Sequence, residues 1–104
     1  MGINKKDGFE YILKLFVSGS SPNSIRAISN LQKILMKHLD GRYSLHVIDL
    51  HQEEKSIAGI EQIIAVPMLI KKFPLPERRL IGDMSDTQKV LDGLGIFNRV
   101  TDED

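Results

Sequence analysis

The hydrophobic period changes from two to about 3.6 and back to two within the first fifty residues, and few folds accommodate that order. Phe9, Tyr11, Leu13, Leu15 and Val17 alternate along one face of a strand, while Ile12 and Phe16 add apolar groups to the other. A strand apolar on both sides is expected inside a sheet, covered on both faces. Ile25, Ile28, Leu31, Leu35 and Leu39 then recur at helical spacing, with Arg26, Asn30, Lys33 and Lys37 on the outside. Ser21 is placed to cap this helix, and Pro22 takes its first position, where a missing N–H costs nothing. Asp40-Gly41 closes it. Tyr43 to Leu50 alternates again, and a strand reached through a crossover helix pairs parallel with its predecessor.

The second half carries weaker signals. Glu53 to Ile64 reads as a helix, with Ile57, Ile60 and Ile64 on one face and Gly59 in mid-span, where glycine costs about 1 kcal/mol relative to alanine. Met68 to Phe73 and Arg78 to Ile81 read as strands joined by Pro74-Leu75-Pro76, a turn so short that the pair must be antiparallel. Ser85-Asp86-Thr87-Gln88 spells a capping box for a last helix holding Val90, Leu91 and Leu94, with Gly93 and Gly95 at its end. The expected architecture is α/β, in the order βαβαββα around a mixed four-stranded sheet.

A chain of 104 residues is expected to form a single domain over 1–104, burying roughly 60–70% of its unfolded surface, with 1–8 and 98–104 flexible. Fourteen Lys plus Arg balance 14 Asp plus Glu, so no global field draws nucleic acid or a membrane surface, and neither is expected as a partner. The polar start has no apolar segment of signal-peptide length behind it, and no run approaches the roughly 20 apolar residues of a membrane helix. Cysteine is absent, which fits a reducing compartment, and the expected location is cytoplasmic.

Groups that could carry covalent chemistry are few. His38, His46 and His51 lack the close spacing of a metal site, and no metal is expected. Ser18, Ser20, Ser21 and Ser24 sit outside any nucleophile-elbow pattern and read as turn and capping residues. Asp83 and Asp86 bracket a helix start, where the helix dipole accounts for them. Lys71, Lys72, Arg78 and Arg79 fall on adjacent strands as a basic patch, suited to protecting a sheet edge or to docking an acidic protein surface. No catalytic residue and no cofactor are expected.

The order of elements resembles a thioredoxin domain. Where such an enzyme carries its paired thiols, this chain reads Ser18-Gly19-Ser20-Ser21-Pro22-Asn23-Ser24, and a serine hydroxyl supplies neither the attacking nor the resolving thiolate. Val66-Pro67 falls where these domains place a cis peptide. More narrowly, the chain resembles the KaiB family of circadian-clock proteins. The resemblance runs from Tyr11-Ile12-Leu13-Lys14-Leu15 to Leu94 through Ser18-Gly19, Pro22-Asn23-Ser24-Ile25-Arg26-Ala27, Val47-Ile48-Asp49 and Pro67-Met68-Leu69. It is strongest over Pro74-Leu75-Pro76-Glu77-Arg78-Arg79-Leu80-Ile81-Gly82-Asp83-Met84-Ser85-Asp86.

That resemblance implies a non-enzymatic partner of the KaiC ring ATPase, competing with the similar domain of a sensor kinase, with a KaiA-like protein as a further partner. It implies a homo-oligomer, dimer or tetramer, and a second, tetrameric arrangement of the C-terminal half. Arg26, Arg78 and Arg79, with Lys71 beside them, are assigned to docking or assembly. Tyr11 and Gly93 match positions tied to the balance between folds, and Pro67 is the cis-proline position. The chain departs from the family where His46 replaces a lysine, near Gln62, and at Gly95, where clock members carry an acid. KaiB-like proteins outside oscillators imply a stress or signalling role. Two alternatives stand beside this reading: a cysteine-less thioredoxin-fold enzyme binding glutathione or another thiol in a groove beside Pro67, and the sensor part of a histidine kinase.

Overall fold

Alternating apolar residues give β1 (Tyr11–Val17) and β2 (Tyr43–Asp49), paired in parallel from Tyr11 opposite Tyr43 to Val17 opposite Asp49. They flank α1 (Pro22–His38), whose start is capped by Ser21 with Pro22 at the first turn, as its sequence predicts. The computed structural model describes residues 10–51, 59, 61–63 and 65–96. Most of the helix expected over 53–64 lies outside that set, as do Phe9 and the ends expected to be flexible; Gly59 and Glu61 are helical.

β3 (Met68–Phe73) pairs antiparallel with β1, and β4 (Arg78–Ile81) antiparallel with β3. The sheet order is therefore β2-β1-β3-β4, with β1 in the interior. The Val66-Pro67, Phe73-Pro74 and Leu75-Pro76 peptide bonds are cis.

A last helix, α2 (Thr87–Leu94), packs with α1 on one face of the sheet, around Leu13, Leu15, Val17 and Leu69. Phe16, Met68 and Ile70 form a second cluster on the opposite face with Ile48, Leu50, Ile63 and Val66. Both faces of β1 are thus used, but Ile12 stays exposed near the strand's start.

Two expectations are corrected. Ile25 does not face the core: it is 54% exposed, and Ser24, fully buried, takes the inward position. The cap of α2 is Asp86, whose side chain accepts from the Lys89 N–H, so Ser85 and Gln88 form no capping box. The reason is Asp83: its Oδ1 accepts from the Ser85 N–H at 3.0 Å, which holds Ser85 in the preceding turn. Gln88 reaches forward to Asp92 instead. Gly95, at the end of α2 as expected, closes it in a left-handed conformation, with its N–H on the Asp92 and Leu91 carbonyls.

Candidate functional site

The loop from β1 into α1 is a hydroxyl-lined opening closed off by the end of β2. Asp49 organises it: Oδ1 accepts from the Gly19 N–H at 2.8 Å and the His51 N–H at 2.9 Å. Those bonds, that of Gly19 foremost, hold the Asp49 carboxyl below the ordinary carboxylate range. Ser18 Oγ lies 3.0 Å from His51 Nε2. Ser24 Oγ, from inside the first turn of α1, accepts the Ser18 N–H at 3.0 Å. Ser18, Ser21 and Ser24 of this loop are thus bound into turn and cap. Asp49 was legible only as part of a motif, because its two donors lie 30 residues before it and two after it. Among the described residues no group of three His, Cys, Asp or Glu side chains is gathered.

The four cations of β3 and β4 do not form one patch. Neighbours on a strand point to opposite faces, and the register pairs Lys71 with Arg78 and Ile70 with Arg79. Arg79 and Lys72 therefore lie on the face of Phe16 and Met68. There Lys14 and Lys72 both reach Glu61 at 3.3 Å, Lys72 also reaches Glu77 at 3.4 Å, and Arg79 reaches Glu77 at 3.5 Å. Arg79 additionally donates to the Gln62 carbonyl at 3.1 Å. Burial pushes the Glu61 carboxyl up, but hydrogen bonds from Lys14 and Lys72 outweigh it and leave the group below its usual value. This ladder is invisible in sequence because Glu61 is far from Lys14 along the chain and lies in the weakest helical segment.

Lys71 lies on the other face and is only 5% exposed, so it is not a surface cation. Burial foremost, with the Arg78 charge beside it, holds its pKa below that of an ordinary lysine. Lys71, Arg78, Tyr11 and Gly93 line one cavity with the Pro74-Leu75-Pro76 turn. Arg26 stands apart, on the first turns of α1, bonded to Asn23 and 3.4 Å from Asp83. Asn30, one turn along, donates to the Asp83 carbonyl at 2.9 Å. Together they tie α1 to the turn after β4.

Gly93 brings α2 directly against Leu80 of β4. A Cβ there would stand 2.6 Å from Leu80 Cδ1 and 2.9 Å from its Cγ. Gly93→Ala and Leu80→Ala are therefore expected to be non-additive. In urea melts of the four chains, the double variant should exceed the stability summed from the singles by about 1–3 kcal/mol. Additivity within about 0.5 kcal/mol would show that the two residues do not meet in solution.

Among the described residues no helix is long and apolar enough to cross a membrane. The fold matches the N-terminal domain of Synechococcus elongatus SasA with a TM-score of 0.68 at 20% identity, covering 91% of this chain and 89% of that one. It matches the Drosophila melanogaster thioredoxin Deadhead with a TM-score of 0.65 at 13% identity, over 83% and 79% of the two chains. The architecture is therefore thioredoxin-like, on a chain without cysteine. In sequence the chain is 46% identical to the circadian clock oscillator protein KaiB of Synechococcus elongatus over 95 residues, 90% of this chain and 92% of the relative. It is 46% identical to that of Prochlorococcus marinus over 93 residues, 88% of each. The KaiB domain model matches residues 14–96, so the loop, the cation ladder and all of the cavity but Tyr11 lie within it, and the chain belongs to the KaiB family.

Proposed function

We propose that this chain is a non-enzymatic regulator in a circadian or related signalling system, acting by binding a KaiC-type ring ATPase. The observation that carries the reading is the 46% identity to clock oscillator KaiB proteins, sustained over nine-tenths of the chain. Geometry supports a binding role. The thiol position of the fold is occupied by serines held in turn and cap hydrogen bonds, with no group poised for exchange. Arg26, Arg78 and Arg79 remain at the surface as docking cations for an acidic partner. A sensor-kinase domain of the same fold would compete for that partner.

The test is co-elution with a purified KaiC-type ATPase loaded with ATP or ADP, sampled over a day. A complex is expected, forming slowly if the competent arrangement is a minor one, since apparent affinity falls with its population. Arg79→Glu and Arg26→Ala are each expected to weaken it about tenfold or more. Arg26 is suited to this because its exposed pair with Asp83 contributes little to folding. No complex after a day, with either nucleotide, would overturn the proposal.

A further inference from the structure

The cavity beneath the Pro74-Leu75-Pro76 turn holds a lysine that no described residue neutralises. Lys71 is nineteen-twentieths buried, at 5% exposure, and among the described residues it has no hydrogen-bond or ion-pair partner. Burying an unpaired ammonium is costly, and such a group is ordinarily found with an anion. The side chain is directed to the rim formed by the end of α2: a Cβ on Gly95 would stand 3.8 Å from Nζ. Arg78 adds a second positive charge to the lining, and among the described residues Asp92 is its one acid. Asp92 Oδ1 is already occupied by Gln88 Nε2 at 2.9 Å. The lining thus carries a net single positive charge. Tyr11 lines it too, and the apolar part of its walls comes from Leu75, Leu94 and the prolines, around a volume of about 260 Å³.

From this cavity we infer that the chain has a carboxylate-binding site, in which a monoanionic carboxylate on an apolar body pairs with Lys71 Nζ while its body lies against Leu75 and Leu94. A single charge suits the lining better than a phosphate dianion, which Asp92 would repel. The apolar walls suit a short alkyl chain or the methylenes of an acidic side chain. The site shares Arg78 with the ATPase-docking reading, but carboxylate binding by the chain alone and docking of the ATPase are separate measurements, and either can fail without the other.

The test titrates the isotopically labelled chain alone, following amide shifts of Lys71, Gly93 and Gly95. The probes are sodium hexanoate, a capped peptide with one glutamate, hexanol and sodium sulfate. Saturable shifts with hexanoate or the peptide are expected, at least tenfold tighter than with hexanol or sulfate. Saturation by hexanoate would mark a small organic acid as sufficient, and saturation by the peptide alone would mark a partner's acidic side chain. Lys71→Met should abolish the shifts, as should Gly95→Asp, which sets a carboxylate beside Nζ; Arg79→Glu should leave them unchanged. No saturation with either carboxylate, hexanol as tight as hexanoate, or unaltered binding in Lys71→Met would each overturn the inference.

Discussion

Leu31→Ala is expected to lower stability by about 2–5 kcal/mol in urea denaturation, while Ile25→Ala should change it by less than about 0.5 kcal/mol. Both residues belong to the same apolar series on the same helix, so their composition does not separate them. Their geometry does. At about 100° per residue, Ile25 lies roughly 120° around the helix from Leu31, whereas Ser24 lies within about 20° of it. Ser24, Ala27, Leu31 and Leu35 are fully buried and Ile25 is 54% exposed. Removing three side-chain carbons from Leu31 would leave a cavity between α1 and the sheet, which close-packed neighbours fill only in part. Removing them from Ile25 trims a side chain already in water. Equal losses at the two positions would show that α1 is rotated on the sheet relative to the arrangement described here.

Lys71→Met is expected to move stability the other way, raising it by about 1–3 kcal/mol at neutral pH. Methionine replaces all but the terminal atom of the unbranched side chain and removes a charge that is buried without a partner among the described residues. The pH dependence carries its own sign. Burial and Arg78 hold Lys71 below its ordinary lysine value in the folded chain, so between those two values the unfolded chain binds more protons. Stability contributed by this residue therefore rises with pH through that interval, and the penalty is complete below it. The gap between variant and parent should be widest near neutrality and close as pH climbs toward the ordinary lysine value of about 10.4. A gap that is constant with pH, or a variant less stable than its parent, would show that the ammonium is satisfied. Saturating hexanoate should narrow the same gap by stabilising only the parent.

Much of the fold could be read directly, because the signals there are local. The parallel pairing of β1 and β2 follows from a helix between them, and the antiparallel turn follows from the shortness of Pro74-Leu75-Pro76. The Ser21 cap and Pro22 start of α1 involve residues within one turn of each other. Local patterns also placed Leu13, Leu15 and Val17 together on one face of β1, where they are buried.

Where residues meet across the chain, local patterns were silent or misleading. Ser85 was displaced as a cap because Asp83 holds its N–H in the turn after β4 while Asp86 takes the Lys89 N–H at the start of α2. Glu61 gathers Lys14 and Lys72, separated by most of the sheet in sequence. Lys71 and Lys72, identical and adjacent, part company entirely: one is interred beside α2 and the other pairs with acids on the opposite face. Periodicity reports which side a residue takes relative to its own strand or helix. It carries no information about what another segment brings to that side, and for a charged group that neighbour determines both its energy and its use.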